Sequence, residues 1–282
     1  MTYIIIIVML IKFTKMHSLG NDFMIIDAIS QNIKLTTKQI SDWSNRYTGI
    51  GFDQCLLIEP SHNSEVDFNY RIFNSNGNEV GQCANGARCV AWFIMINGLT
   101  KNNKICLETN KTVMHLEINS DNTITVNMDV PLWEPKTIPI VATQLSSMYK
   151  LLNTDINVHA VNVGNPHAVT VVTNVNNIDI VNIGQKISED PIFPLQANAG
   201  FMEIINTQHI NLRVYERDCG PTLSCGSAAV AAVAVGRRFY NLERQVRVSF
   251  ANGDLIVDWP NLTHKIFLTG SVNLVYKGIT CV

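Results

Sequence analysis

The sequence has little charge of either sign and no concentrated basic segment. Charged residues make up 16% of the 282 residues, the net charge is −2, and lysine and arginine never occur in a run longer than two. Nucleic acids and anionic membrane surfaces attract proteins with basic clusters, so we expect neither as the main partner. A small-molecule substrate is the expected ligand.

Cysteine is present, but without the spacing of a structural site. The seven cysteines are an odd number and include no C-x-x-C pair. The pattern therefore indicates neither a secreted disulfide framework nor a zinc site. We expect free thiols in a reducing cytoplasm and no bound metal.

An apolar run near the start of the sequence is too short to cross a bilayer. It extends from Tyr3 to Ile11 and has nine residues, whereas a spanning helix needs roughly 20. A secretory signal is the competing interpretation, but no basic segment precedes the run and no small-residue cleavage site follows it before Lys12 and Lys15. We expect that residues 4–8 extend a first strand, or that translation starts at Met9.

The sequence repeats itself once. At a shift of 142 residues, Asn69-Tyr-Arg-Ile-Phe73 lies over Asn211-Leu-Arg-Val-Tyr215, and Cys83 lies over Cys225. Self-similarity in a fixed register indicates homologous halves. We predict a first half over residues 1–129, a second half over 130–272 related by a pseudo-two-fold axis, and a tail, 273–282, that packs back on the first half.

Each half combines short β segments with one apolar helix. The predicted strands are residues 23–27, 68–73, 123–128, 168–172, 212–215 and 266–269. The helices are predicted at 87–96 and 227–239, and they are apolar nearly all round, so strands should enclose them. The predicted fold class is α+β, with two pseudo-symmetric barrel-like β units, each around a buried helix, and an active site at their interface.

The aligned cysteines, Cys83 and Cys225, immediately precede the two predicted helices. A helix N-terminus lowers the pKa of a thiol and also binds carboxylates. Inverting an α-carbon requires a base on one face and an acid on the other, and two such cysteines supply both. The carboxylate would be held by the backbone N–H groups of Ala84, Asn85, Gly226 and Ser227. The alternative is that each cysteine is only a small buried hydrophobe.

The two cysteines belong to a set of motifs that extends over most of the chain. The most specific segments are Lys15-Met-His-Ser-Leu-Gly-Asn-Asp-Phe23, Gly49-Ile-Gly-Phe-Asp-Gln54, Tyr70 to Arg88, Gly164-Asn-Pro-His167, Asn198-Ala-Gly-Phe201 and Arg213-Val-Tyr-Glu-Arg217. In these segments, within residues 13–278, the sequence resembles the diaminopimelate epimerase family. The resemblance implies a cofactor-independent isomerase that interconverts LL- and meso-diaminopimelate in lysine biosynthesis.

The resemblance also implies roles for individual residues. The substrate would be held by Asn21, Gln54, Asn74, Asn165, Asn198 and Arg217. Glu216 and His167 would lie near the reacting ammonium group and the thiols, and a purely structural histidine is the alternative for His167. The sequence departs from the family at three positions, where it carries Ala84 and Ala228 instead of the usual glycines and Pro221 instead of a common acidic residue.

Two other functions remain open from the sequence. One is a racemase or epimerase of proline or hydroxyproline built from two related halves. The other is a non-catalytic relative of the same fold, against which the presence of both cysteines argues. The sequence does not decide which cysteine acts on which stereoisomer, nor whether the chain forms a homodimer.

Overall fold

The computed structural model describes residues 10–152, 154–217 and 219–281. The expectations for residues 4–8 and Met9 lie outside this part of the chain. The strands of the described residues are β1 (Leu10–Ser18), β2 (Asn21–Asp27), β3 (Gln54–Pro60), β4 (Phe68–Asn74), β5 (Glu79–Val80), β6 (Lys104–Glu108), β7 (Val113–Ile118), β8 (Ile124–Met128), β9 (Tyr149–Lys150), β10 (Asn157–Asn162), β11 (Pro166–Val171), β12 (Asn198–Asn206), β13 (His209–Glu216), β14 (Gly220–Thr222), β15 (Gln245–Phe250), β16 (Gly253–Asp258), β17 (Ile266–Gly270) and β18 (Asn273–Cys281).

The α-helices are fewer and shorter in total length than the strands. They are α1 (Thr37–Ser44), α2 (Ala84–Ile96), α3 (Ile180–Ser188) and α4 (Gly226–Phe239), and two single 3-10 turns lie at Pro135–Thr137 and Val175–Asn177. Within the described ranges, no helix is both long and apolar enough to cross a membrane.

The chain divides into two compact units. Unit 1 contains residues 10–124 and 272–281, and unit 2 contains residues 125–271. The C-terminal strand therefore belongs to unit 1, where β18 pairs antiparallel with β1 over its whole length.

Unit 1 is a mixed sheet around one buried helix. Its strands pair in the order β18, β1, β2, β3, β4, β6 and β7, with the short β5 also on β4. Helix α2 packs against β1, β2, β3 and β7, and ten of its 13 residues are buried. A second apolar cluster, to which Phe13, Met24 and Leu57 of the strands contribute, receives Ile40 of α1. The sheet is thus covered by apolar residues on both sides.

Unit 2 has the same plan, with one enclosed helix and one outer helix. Its strands pair in the order β9, β10, β11, β12, β13, β15, β16, β17 and β8, with β14 also on β13. Helix α4 packs against β10 to β13 and β15 to β17, and ten of its 14 residues are buried. Helix α3 lies against β12, β13 and β14, and its Ile180 and Ile187 enter a separate apolar cluster.

The strand directions repeat between the units. The pairs from β1 to β2, β2 to β3 and β3 to β4 are antiparallel, parallel and antiparallel, as are those from β10 to β11, β11 to β12 and β12 to β13. The turns that open each series contain Gly20 and Gly164, whose φ angles of 91° and 102° favour glycine. The predicted α+β class, with a barrel-like β unit around each apolar helix, is confirmed.

The helix boundaries differ from the prediction at one end. Helix α2 begins at Ala84, three residues before the predicted start, and α4 begins at Gly226, one residue before it. The apolar pattern misses the first turn of α2 because Asn85 and Gly86 are poor helix formers. Each helix consequently starts at the residue directly after a cysteine.

Candidate active site

Cys83 caps the N-terminus of α2 with its own side chain. Its sulfur accepts a hydrogen bond from the backbone N–H of Gly86, with 3.3 Å between the nitrogen and Sγ. An N–H donor at a helix N-terminus favours the negatively charged form of a sulfur. The geometry therefore supports a thiolate at this position.

Gly86 is required by the crowding around this cap. A Cβ atom at residue 86 would lie 2.4 Å from the hydroxyl oxygen of Tyr70 and 3.4 Å from the sulfur of Cys83. Tyr70 is fully buried, and its hydroxyl donates to the carbonyl of Cys83 over 3.5 Å. The absence of a side chain at residue 86 therefore allows Tyr70 and the cap of α2 to approach each other.

Two predicted asparagines meet at Cys83. The sulfur of Cys83 lies 4.0 Å from Oδ1 of Asn21, within reach of an S–H donor. The same oxygen accepts from Nδ2 of Asn85 over 3.3 Å. The structure thus brings Asn21, from β2, to Cys83 and Asn85 at the start of α2.

A network of charged residues in unit 1 holds the amide nitrogen of Asn21. Its Nδ2 donates to Asp53 over 2.9 Å, and Asp53 also accepts from Arg46. Arg46 and Lys15 both pair with Asp22. Burial alone would raise the pKa of Asp22, but the hydrogen bonds from Arg46 and Lys15 outweigh it and hold this pKa at about 2. Sequence reasoning assigned none of these four charged residues to the site.

Gln54 and Asn74 form a cross-strand pair at the start of β3 and the end of β4. Nε2 of Gln54 donates to Oδ1 of Asn74 over 2.9 Å, and the two residues are directly opposite in the register. Oε1 of Gln54 is buried without a hydrogen-bond partner among the described residues. A buried acceptor of this kind is costly unless a ligand satisfies it.

Cys225 occupies the equivalent cap position of α4, but its surroundings differ. Its thiol lies 3.2 Å from Oε2 of Glu216, to which it donates, and 3.4 Å from the hydroxyl of Ser227. Burial and the neighbouring Glu216 raise the pKa of Cys225 well above its ordinary value. This geometry therefore favours a neutral thiol.

Glu216 is held by a residue that the sequence analysis did not select. The hydroxyl of Thr222 donates to Oε1 of Glu216 over 2.5 Å. Thr222 lies on β14, which forms a hairpin with β13 and places Gly220 opposite Glu216. The hairpin could be anticipated from the glycine, but not which side chain would reach the carboxylate.

His167 is a neutral, fully buried histidine. Its Nε2 lies 3.0 Å from Oδ1 of Asn165 and 3.0 Å from the hydroxyl of Ser227. Burial first, and the positive charge of Arg217 second, lower the pKa of His167 to about 3. A proton on Nε2 can be donated to the Asn165 oxygen, which turns the amide nitrogen of Asn165 away from the ring.

Asn198 and Arg217 also contact each other. Oδ1 of Asn198 accepts from the backbone N–H of Arg217 over 3.0 Å. The half-buried guanidinium of Arg217 donates to the carbonyl of Leu195 over 3.1 Å. In the described part of the chain, no three His, Cys, Asp or Glu side chains cluster in a way that could hold a metal ion.

Comparison with known sequences places the chain in a family. The family model described as diaminopimelate epimerase matches residues 13–133 and 159–275. The chain belongs to the diaminopimelate epimerase family. This family member is 54% identical over 271 residues to the diaminopimelate epimerase of Legionella pneumophila (strain Paris), with 95% of this chain and 98% of the relative covered. It is 46% identical over 270 residues to that of Vesicomyosocius okutanii (strain HA), with 96% and 98% covered.

Solved structures share the fold of this diaminopimelate epimerase family member at low sequence identity. A phenazine biosynthesis protein of the PhzF family from Bacillus anthracis aligns with a TM-score of 0.71 at 14% identity, over 97% of this chain and 100% of that one. A hydroxyproline epimerase from Agrobacterium vitis aligns with a TM-score of 0.70 at 11% identity, over 97% and 93%. These likenesses concern the fold alone.

Proposed function

We propose that this protein is a diaminopimelate epimerase that interconverts LL-2,6-diaminopimelate and meso-diaminopimelate by proton transfer at the α-carbon, as a step of lysine biosynthesis. The observation that carries the proposal is the matched placement of Cys83 and Cys225, each directly before a buried apolar helix in one of two repeated units. Membership of the diaminopimelate epimerase family, with relatives of that name at 46% and 54% identity, supports the choice of substrate.

The chemistry requires two sulfur atoms on opposite faces of the substrate. One cysteine thiolate takes the α-proton, so an S–H bond forms and the C–H bond breaks, leaving its electron pair on the α-carbon and carboxylate. The other cysteine then gives up its thiol proton to the opposite face of that carbon. At the end of the reaction, the first cysteine is a thiol, the second is a thiolate, and the α-carbon is inverted. No redox step occurs.

The starts of α2 and α4 would stabilise the charge that develops during this transfer. The backbone N–H groups of Ala84, Asn85, Gly226 and Ser227 belong to the first turns of these helices, where unpaired donors and the helix dipole favour an anion. Stabilisation of developing negative charge by fixed donors commonly contributes several orders of magnitude in rate. Protein groups therefore suffice for the carboxylate, and the proposal invokes no cofactor and no metal.

The polar side chains around the cysteines would select the substrate. Arg217 would pair the distal carboxylate through its guanidinium, and the remaining polar set is Asn21, Gln54, Asn74, Asn165 and Asn198. The unsatisfied Oε1 of Gln54 supports a role in accepting a hydrogen bond from the ligand. A substrate without the distal amino-acid group would leave such groups unpaired, which commonly lowers specificity constants by several orders of magnitude.

Location and assembly are part of the proposal. Free cysteines throughout the described residues are consistent with a reducing cytoplasm.

The exposed apolar residues Leu274, Val275 and Ile279 on β18 support a homodimer that covers this strand. We expect sedimentation of the wild-type protein as a dimer and of Ile279→Lys as a monomer. A wild-type protein that sediments as a monomer at micromolar concentration would remove the dimer from the proposal.

The test of function is an assay on LL-diaminopimelate with no cofactor added, after dialysis against a metal chelator. We expect meso-diaminopimelate to accumulate to equilibrium, measured by chiral chromatography. L-Proline and trans-4-hydroxy-L-proline serve as competing substrates in parallel and should not be inverted. Inversion of either ring substrate in preference to diaminopimelate, or activity that returns only with added pyridoxal phosphate or zinc, would overturn the proposal.

A further inference from the structure

A buried positive charge lies one and a half helical turns from Cys83. Arg88 is on α2, five residues after the cysteine, and its exposed fraction is 0%. Arginine is among the residues that are almost never fully buried unless they are paired. Hydrophobic packing alone therefore does not explain why this guanidinium is buried.

The hydrogen bonds of Arg88 leave its charge uncompensated. Nη2 donates to Oδ1 of Asn85 over 2.7 Å and to the hydroxyl of Ser18 over 2.8 Å. Nε and Nη1 are buried without a partner among the described residues, and no described carboxylate forms an ion pair with the group. Burial lowers the pKa of Arg88 to about 10, while the thiols of Cys89 and Cys83 act in the opposite direction. The natural counter-charge for this cation is an anion at the start of α2.

The repeat shows that this cation occurs in one unit only. At the shift of 142 residues that superposes Cys83 on Cys225, Arg88 corresponds to Val230. The same shift superposes Asn74 on Glu216, whose carboxylate accepts from the thiol of Cys225. A buried cation therefore lies on the helix that one cysteine caps, and an anion contacts the other cysteine, although the two helices are alike.

Arg88 also orients the amides that surround Cys83. Because a guanidinium only donates, Oδ1 of Asn85 must face Arg88, and Nδ2 of Asn85 then points to Oδ1 of Asn21. The other end of the Asn21 amide is also fixed, because its Nδ2 donates to a carboxylate oxygen of Asp53. Neither amide can rotate by 180° without placing like atoms together, so the oxygen of Asn21 stays near the sulfur.

We propose that Arg88 is a positioning residue whose buried charge makes Cys83, rather than Cys225, the thiolate of the resting enzyme. The inference rests on the proposed two-cysteine mechanism. Before proton transfer, the Cys83 thiolate accepts from the N–H of Gly86 and is stabilised by the guanidinium. After it has taken the substrate proton, its S–H can donate to the Asn21 oxygen that Arg88 holds in place through Asn85.

Other ionisable groups near Cys83 do not reverse this assignment. Tyr70, from β4, and Cys89, from α2, are fully buried, and burial is the main cause that raises the pKa of each, so both stay neutral near pH 7. The carboxylates beyond Asn21, those of Asp22 and Asp53, are paired with Arg46. Among the groups named, Arg88 is the one charge near Cys83 without a counter-ion.

Alkylation of the two thiols as a function of pH tests the proposal without any substrate. The protein is treated with iodoacetamide, and modification of the peptides that carry Cys83 and Cys225 is followed separately by mass spectrometry. The rate at Cys83 should reach half of its plateau at least about one pH unit below the rate at Cys225, because the thiolate is the reacting form. If Cys225 reacts at the lower pH, the assignment is wrong.

Two neutral variants and one charged variant isolate the role of Arg88. Arg88→Gln retains a donor for Asn85, and Arg88→Met resembles the shape of the arginine stem; both should shift the Cys83 midpoint upward by about one pH unit or more without moving that of Cys225. Arg88→Lys should restore the midpoint but not the full kcat, because it lacks the planar fork. Arg71→Met, on β4, removes a half-exposed arginine and should change neither midpoint.

The outcomes separate this inference from the epimerase proposal. An unchanged Cys83 midpoint in a folded Arg88→Gln protein would overturn the role of Arg88, whether or not the wild type inverts diaminopimelate. If neither neutral variant folds, the order of the two midpoints in the wild-type protein and the response of Arg88→Lys decide. A lysine variant whose Cys83 midpoint rises as far as that of Cys225 would then contradict the proposal.

Discussion

The thiol of Cys225 donates a hydrogen bond to Glu216, with 3.2 Å between Sγ and Oε2. The repeat places Asn74, a neutral amide, at the position that corresponds to Glu216. Two cysteines in the same helical context therefore differ in the charge beside them. In the proposed mechanism, this difference would make one cysteine the acid and the other the base before substrate arrives.

Replacing Glu216 by glutamine should make Cys225 easier to ionise and the enzyme slower. The carboxylate raises the pKa of Cys225, so its removal should move alkylation of this thiol to lower pH. Epimerisation should fall by about 10-fold or more, because Cys225 would no longer be held as the neutral thiol that the proposed transfer requires. Glu203→Gln, a carboxylate of the same unit that accepts from the backbone of Val175, is the control and should retain activity. An upward shift for Cys225 would contradict the assigned contact.

The sequence repeat made the central part of the candidate site predictable. A fixed shift identifies Cys83 and Cys225, and apolar runs after each cysteine predict the two enclosed helices. Both features can be read from the sequence without knowing which strands become neighbours.

The supporting contacts were not predictable in the same way. Arg88 reaches Ser18 across 70 residues, and Asn21 reaches Asp53 across 32. Such pairs depend on which strands become neighbours, and a single sequence does not specify that. The sequence did not predict α1 and α3, because their apolar faces are short. These faces pack into apolar clusters that are separate from the enclosed helices α2 and α4.

His167 should make the fold less stable in mild acid. Its pKa in the folded protein is about 3, below the ordinary value of 6.5, so the unfolded chain binds one more proton between these limits. The stabilisation is complete above pH 6.5 and is lost as the pH falls toward 3; it amounts to roughly 3 to 5 kcal/mol. Urea unfolding of His167→Phe, which has no ring nitrogen to protonate, should show a weaker loss of stability from pH 7 to pH 4.

The control for this prediction is an exposed histidine. His115 lies on β7 with its side chain exposed, and His115→Gln should retain the wild-type dependence of unfolding free energy on pH. Equal slopes for His167→Phe and the wild type would show that His167 is protonated in the folded state. In the same variant, loss of the hydrogen bond to Asn165 should raise the KM for diaminopimelate.

Gly86→Ala should damage the site through Tyr70. The added Cβ would lie 2.4 Å from the tyrosine hydroxyl, and both positions are buried, so a cost of about 1 to 3 kcal/mol is expected. Moving the N–H of residue 86 away from Cys83 should also lower kcat. The double variant Gly86→Ala with Tyr70→Phe should regain part of the stability, measured by urea unfolding. Gly200→Ala, with no neighbouring atom nearer than 3.7 Å, should have little effect. A single variant as stable as Gly200→Ala would contradict the clash.

Cys83→Ala and Cys225→Ala should each abolish inversion but leave exchange on one face. Alanine removes one proton carrier, and at residue 83 also the sulfur that accepts from Gly86, but each variant still has one sulfur that can take a proton from one stereoisomer. In deuterium oxide, NMR should show slow loss of the α-proton from one isomer in Cys83→Ala and from the other isomer in Cys225→Ala. Residual rates about 10² to 10⁴ below the wild type require long incubation. Cys89→Ala removes a buried thiol from the same helix as Cys83 and should still invert the substrate. If either of the first two variants inverts at a near wild-type rate, the cysteines are not the acid and base.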